Sequence, residues 1–364
     1  MSSQQRPLII VDAHLDIAFN YVVHQRDFRQ PALKTRQMED NRPERLKDRG
    51  LATVGLPDVL LGRIGVAFGT LFAEPASSPF LGAAQTGYQN AAQAYQQAMA
   101  QLDYYHRLAD HDDRVILIQT QNDLKAVLAT WTEDKQVGEH KLGLMISMEG
   151  ADPVIEPKQV EEWYERGVRA IGLAWIDTRY AGGTGHPGPL TPLGHELLGT
   201  MGDLNMILDL SHLAEKAYYE AVDEYVGPII ASHSNPRRFY ESDRNLSDDM
   251  IRRLTERDGV IGVVMLNKFI NGSWQRSDPR DKVRIEHVAD IVDYICQLAG
   301  DARHVGIGSD MDGGFGAESI PYPMNTITDE WMLKDLLLKR YDAADVQAIL
   351  GGNFLRILEQ SLPN

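Results

Sequence analysis

Four segments of the chain carry an apolar, β-branched run into a side chain able to hold a metal ion. They are Val11-Asp12-Ala13-His14-Leu15-Asp16, Ser147-Met148-Glu149-Gly150, Leu208-Asp209-Leu210-Ser211-His212 and Ile229-Ile230-Ala231-Ser232-His233. A fifth, Val305-Gly306-Ile307-Gly308-Ser309-Asp310, ends the same way on a carboxylate. His14 and Asp16 lie two apart, so on a strand they share one face and can bind one ion together. One His-x-Asp pair is common at strand ends, but metal-type residues after three further buried-type strands mark a metal site. Three imidazoles and two carboxylates supply mixed nitrogen and oxygen donors, which suit Zn²⁺ and tolerate Mn²⁺ or Co²⁺, and five ligands exceed one tetrahedral site. Two Zn²⁺ ions per chain are therefore expected, His14 with Asp16 on one and His212 with His233 on the other. Glu149 is expected to bridge them, because a carboxylate has two oxygens and an imidazole one free donor nitrogen. Two ions about 3.5–4 Å apart lower the pKa of a shared water toward neutrality and so generate a bridging hydroxide nucleophile. The predicted chemistry is hydrolysis, with Glu149 at its centre and Asp310 taking the water's proton and returning it to a leaving amine. A role for Asp310 as a further ligand or as a strand-end cap stays open.

The elements that must position these residues are strands. Strand-like runs recur near Leu8 to Val11, Ile64 to Thr70, Leu142 to Ser147, Val168 to Ala174, Met206 to Leu210, Pro228 to Ala231, Val260 to Leu266 and His304 to Gly308. Helical patterns separate most of them: Ala91 to Leu108, Pro157 to Arg166, Pro192 to Asp203, Ala214 to Tyr225, Ser247 to Arg257 and Lys282 to Ala299. At the fifth of these, the Ser247 hydroxyl preceding Asp248 and Asp249 is a helix-start signal. Such alternation gives parallel strands with crossover helices, either closed as a barrel or open as a doubly wound sheet. Metal-type residues after the first, third, fifth, sixth and eighth strands select an α/β (β/α)8 TIM barrel of the metal-dependent hydrolase type. Its strand ends share one face, whereas an open sheet would spread them along a line. The run Arg114 to Thr120 reads as an accessory strand. The whole chain, 1–364, reads as a single domain with helices at its C-terminal end. Lys34 to Arg49, with ten charged residues in sixteen, reads as a solvated excursion.

Composition excludes several function classes. A hydrophobic fraction of 43% and a charged fraction of 24% are ordinary for a globular protein and speak against disorder. A formal charge of −16 repels phosphate backbones and anionic bilayers, so neither nucleic acid nor membrane is an expected partner. No apolar run approaches the roughly 18 residues of a membrane span. The start, Met1-Ser2-Ser3-Gln4-Gln5-Arg6-Pro7, has no signal-peptide pattern, the C-terminus has no lipid-anchor pattern, and the lone Cys296 fits a reducing compartment. A cytoplasmic location is the expectation.

At these residues the chain resembles the renal, or membrane, dipeptidase family of the amidohydrolase superfamily, as a bacterial-type relative. The match spans nearly the whole length: Asp12-Ala13-His14-Leu15-Asp16, Glu149-Gly150, Gly167-Val168-Arg169, Asp209-Leu210-Ser211-His212, Ser232-His233-Ser234-Asn235, Arg244 to Asp249, Gly308 to Gly313 and Gly351 to Arg356. The resemblance implies a binuclear zinc barrel that hydrolyses dipeptides, often with a D-residue at the C-terminal position. It also implies that Arg244 binds the substrate's free carboxylate, a task suited to a planar guanidinium. Homo-oligomers are compatible with the resemblance, though no residue demonstrates one. Two positions depart from the pattern. Trp175 stands where better-known members carry a substrate-contacting His, and an indole can stack or donate one hydrogen bond but cannot be protonated. Leu15 replaces the Asn usual between the first two ligands. The Trp175 departure motivates a second reading, an amidohydrolase for an N-acyl amino acid, a lactam or a peptidic natural product. A third, from another class, is a catalytically silent metal-binding relative.

Weaker signals resolve against other chemistries. Gly183-Thr184-Gly185-His186-Pro187-Gly188 fits G-x-G-x-x-G only in form, since Pro187 interrupts the point where a nucleotide motif opens its helix. An active-site loop is the better reading. Ser211-His212 and Ser232-His233-Ser234 lack a nucleophile elbow, and adjacent residues on a strand point opposite ways, which argues against a serine hydrolase.

Overall fold

Ile64–Phe72 is buried at every position and Leu142–Glu149 at all but its last, as parallel strands covered on both faces require. The computed structural model describes residues 7–39, 49–81, 86–133 and 135–364. Its strands are β1 (Ile10–Leu15), β2 (Ile64–Phe72), β3 (Val115–Leu117), β4 (Leu142–Glu149), β5 (Val168–Gly172), β6 (Ala181–Gly183), β7 (His186–Leu190), β8 (Ile207–Asp209), β9 (Ile229–Ala231), β10 (Val260–Val263) and β11 (Val305–Ile307). Parallel pairing runs β1-β2-β4-β5-β8-β9-β10-β11 and closes on β1 through Asp12 opposite Ile307. These eight strands form a closed barrel surrounded by helices, the expected (β/α)8 architecture.

All eight strand-like runs seen in the sequence become barrel strands, and Arg114 to Thr120 supplies the accessory β3. That strand pairs with the first residues of β4, Leu142 to Leu144, and β5 takes over from Ile146. The helices begin where local chemistry dictates. Thr120 and Asp123 form a reciprocal capping box, Thr191 caps a helix with Pro192 in its first turn, and Ser247 accepts from the Met250 amide. Near the C-terminus Asn353 donates to the carbonyls of Ala302 and Val305 at 2.7 and 2.8 Å, tying the last helix, Asn353–Ser361, to the foot of β11.

Three features differ from the sequence reading. The helices Gln121–Ala129 and Leu56–Leu61 were not anticipated; both are short and lie beside stronger strand signals. The charged stretch is not wholly solvated. Ala32–Glu39 is helical, and Glu39 is buried where it meets Arg26 at 2.9 Å and the buried Arg49 at 2.8 Å. Its charges satisfy one another, which is how burial is tolerated; residues 40–48 lie outside the described residues. The Gly183 to Gly188 stretch folds as an antiparallel hairpin, β6 with β7, rather than as an irregular loop.

One contact at the top of the barrel is unusually close. The carbonyl oxygen of Ser232 is seated between Gly262 and Gly308, and a methyl at either would collide with it. Gly308→Ala should therefore cost about 1–3 kcal/mol of stability, read as a lower chemical denaturation midpoint. An unchanged midpoint would mean that the Ser232 backbone moves aside freely.

Candidate metal centre

The five residues proposed as ligands come together although they stem from four strands. His14 is the last but one residue of β1 and Asp16 follows the strand, Glu149 is the last residue of β4, and His212 and His233 lie in the turns after β8 and β9. The Glu149 carboxylate stands in the middle. Its Oε1 is 3.0 Å from His212 Nε2 and 3.2 Å from His233 Nε2, while Oε2 faces His14 Nε2 at 3.7 Å. The two oxygens thus divide between the groups that the sequence pattern separates. His14 Nε2 also lies 3.9 Å from Asp16 Oδ2 and 3.9 Å from Asp310 Oδ1, and its ring stacks on that of His233 with centroids 3.6 Å apart. Asp310, in the turn after β11, completes the ring of side chains. Three overlapping trios emerge: His14, Asp16 and Glu149; Glu149, His212 and His233; and His14, His233 and Asp310, each within metal-ligating reach.

The electrostatics favour a cation. Burial pushes His14 down to about 4, with His212 and Arg244 adding to the effect and Glu149 opposing it. Burial first, then the Arg244 charge among others, holds His212 and His233 well below the usual histidine range. Each shift favours the neutral imidazole, the form that binds a metal. Burial raises the carboxyls of Asp16, Glu149 and Asp310, and like-charged neighbours push Asp16 and Asp310 further. His14 Nε2 and Asp16 Oδ1 are buried without a hydrogen-bond partner. Lone pairs crowd together where a bound cation would satisfy them, so the residues present fit a metal cofactor.

Backbone geometry holds these groups in place. His212 and Asp310 adopt left-handed φ values of 67° and 59°, uncommon outside glycine and frequent at functional sites. Each imidazole Nδ1 meets a hydroxyl: Thr70 for His14 at 3.4 Å, Thr184 for His212 at 3.0 Å and Ser232 for His233 at 2.7 Å. Thr184 sits between β6 and β7, so the hairpin reaches the site through a side chain. Two aspartates fasten neighbouring strands beneath the ligands. Asp12 accepts from the amides of His14 and Ser309 and from the Ser309 hydroxyl; Asp209 accepts from the amides of Ser211 and Ser232 and from the Ser232 hydroxyl. The sequence reading assigned no role to the hydroxyl partners or to these aspartates. The repeated Asp-x-His and Asp-x-Ser-His spacing was their only signal.

The two expected substrate residues flank the centre. Arg244 is buried and donates to the Ser234 hydroxyl at 3.0 Å and to the His233 carbonyl at 2.6 Å. The half-buried Trp175 packs edge-on against Phe72 at 4.8 Å and near Phe80 at 6.1 Å, and its ring lies 6.3 Å from that of His212. No helix among the described residues is long and apolar enough to cross a membrane.

Comparison with known proteins agrees with this geometry. The model of the family described as membrane dipeptidase (peptidase family M19) matches residues 2–362. An uncharacterized protein in the pqqA 5′ region of Klebsiella pneumoniae is 30% identical over 230 residues, covering 60% of this chain and 82% of its own. A crystal structure described as the dipeptidase AC, a metallo peptidase of family M19, superposes with a TM-score of 0.78 at 21% identity, over 98% of this chain and 100% of that one. A metallo peptidase from Rhodobacter sphaeroides, liganded with a phosphinate mimic of L-Ala-D-Ala, gives 0.76 at 21% identity over 98% and 99%. At such identities the likeness is one of fold.

Proposed function

Since this chain belongs to the membrane dipeptidase family and is a metal-dependent peptide-bond hydrolase, we propose that it is a two-zinc dipeptidase in which Glu149 bridges the ions. The observation that carries this reading is the division of the two Glu149 oxygens between His14 on one side and the His212/His233 pair on the other. In the proposal His14 and Asp16 hold one ion and His212 and His233 the other. Bound zinc supplies Lewis acidity toward the scissile carbonyl and lowers the pKa of water toward neutrality. Asp310 accepts the attacking water's proton and passes it to the leaving amine, a role its place beside His14, with Oδ1 3.9 Å from Nε2, makes available. Arg244 binds the C-terminal carboxylate; two of its five N–H donors are used by Ser234 and the His233 carbonyl, which leaves others for the substrate. Substrates with a D-residue at the second position belong to the proposal, as does action within the cytoplasm.

The deciding experiment is hydrolysis of a dipeptide library, with L and D residues at the second position, by protein whose zinc is quantified in the same sample. About two zinc per chain with turnover of a dipeptide subset is the expected result; two zinc without dipeptide turnover would reject it. In that event a second reading takes over, because the Trp175, Phe72 and Phe80 rings present an apolar flank beside His212. Such a flank suits an N-acyl amino acid better than a charged N-terminus, and turnover of N-acyl amino acids alone would support that substrate.

Arg244→Lys keeps the charge but loses the planar fork. It should lower kcat/KM on free-carboxylate dipeptides by about 10- to 100-fold, chiefly through KM. The check is a parallel assay on C-terminally amidated dipeptides; an equal loss on those would separate Arg244 from carboxylate binding.

A further inference from the structure

We infer that Asp209, acting through Ser232, fixes the tautomer of His233 and so makes Nε2 the atom that this ring offers to a metal; the inference rests on the metallohydrolase reading above. Three donors converge on the Asp209 carboxylate. The amides of Ser211 and Ser232 reach Oδ1 at 3.0 and 2.9 Å, and the Ser232 hydroxyl makes a short bond to Oδ2. With all three pointing their hydrogens at it the carboxylate is the acceptor, so the Ser232 hydroxyl proton is committed to Asp209. The Ser232 oxygen then faces His233 Nδ1 at 2.7 Å as an acceptor, and Nδ1 must carry the ring proton. A neutral imidazole has one such proton, which leaves Nε2 bare where it meets Glu149 Oε1 and His212 Nε2, both at 3.2 Å. The Ser211 hydroxyl steadies the arrangement by accepting from the His233 amide at 3.1 Å.

The other two imidazoles are directed less firmly. His14 Nδ1 faces Thr70, whose hydroxyl meets the Ser147 hydroxyl at 3.3 Å, and His212 Nδ1 faces Thr184, which donates to the His212 carbonyl at 3.5 Å, a far longer bond than that of Ser232 to Asp209. The Thr70 hydroxyl can donate or accept and so dictates no tautomer, while Thr184 directs His212 only through that long bond. Asp209 is thus a positioning residue that does not touch the ion.

Its role yields an ordering that simple loss of packing would not. In Asp209→Asn the amide oxygen keeps the two backbone donors and the NH₂ group faces Ser232, which turns the hydroxyl proton toward His233 Nδ1. The ring proton moves to Nε2, into the metal position. Ser232→Ala only removes the acceptor and lets His233 choose either tautomer. Zinc affinity, measured by chelator competition on each purified protein, should fall about 10- to 100-fold in Asp209→Asn and less in Ser232→Ala. Equal or stronger zinc binding by Asp209→Asn than by Ser232→Ala would overturn the inference while leaving the enzyme assignment intact. Failure of the parent protein to bind zinc would overturn both. If Asp209→Asn does not fold, NMR of the ¹⁵N-histidine-labelled, zinc-loaded parent still decides. An Nδ1-bound proton on His233 that shifts in Ser232→Ala is expected, and its absence in the parent would reject the relay.

Discussion

Asp310→Asn should leave the zinc content unchanged and lower kcat by roughly 10²- to 10⁴-fold, the usual contribution of a positioned acid–base group. Asn has the size and hydrogen-bonding shape of Asp, and the backbone that aims position 310 is set by its left-handed φ and by the Gly313 amide donating to its carbonyl at 2.9 Å. What the amide lacks is the ability to take a proton. In the metal-free protein burial, with Asp16 and Glu149 adding to it and Arg244 opposing it, raises the Asp310 carboxyl well above the usual range. The measurement pairs kcat on the best dipeptide substrate with metal analysis of the same sample. Near-normal turnover would remove Asp310 from the chemistry. Loss of a zinc ion would make it a ligand, the alternative that the sequence left open.

The second large effect is expected at Glu149. Glu149→Gln preserves volume but replaces one oxygen by an NH₂ group, and a donor then faces either His14 or the His212/His233 pair. One amide oxygen can serve one ion, so retained zinc should fall from two per chain to about one after dialysis, and kcat should drop at least as far as in Asp310→Asn. Metal analysis and turnover are again read together. Two ions retained in Glu149→Gln would show that they do not depend on a bridging carboxylate, and the proposed division of ligands would have to be redrawn.

The fold and the proposed ligands were legible for a common reason. Strands buried on both faces read as apolar runs, and a charged or imidazole residue ending such a run has little purpose except chemistry. His14, Glu149, His212 and His233 stood out because each interrupts a pattern generated by the fold itself. The hydroxyl partners did not, because Thr70, Thr184 and Ser232 acquire meaning only from a neighbour on another strand or hairpin. Ser232 is instructive. Adjacent residues on a strand diverge, but β9 ends at Ala231, and in the turn beyond it the Ser232 hydroxyl reaches the ring of the very next residue. The charged stretch misled in the opposite direction. Glu39 and Arg49 look solvated by type, and only the fold reveals that Glu39 is held by Arg26 and Arg49 together. Trp175 could be noticed only as a departure, and its contacts with Phe72 and Phe80 depend on how two loops meet.

The bond between Asp12 and Ser309 joins residues 297 positions apart. At about 5–20 residues per second of synthesis, roughly 15 to 60 seconds separate the emergence of its two ends from a ribosome. Through that interval His14 and Asp16 sit on a strand that lacks one of its barrel neighbours, and the carboxylate beneath them lacks its principal partners. The last of the proposed ligands, His233, precedes β11, but closure of the barrel around them awaits that strand, so competence to hold metal is expected to arise late. A nascent or truncated chain ending before Val305 should therefore be poor at capturing zinc, and cells expressing such fragments should lose them to proteolysis rather than accumulate half-formed metal sites.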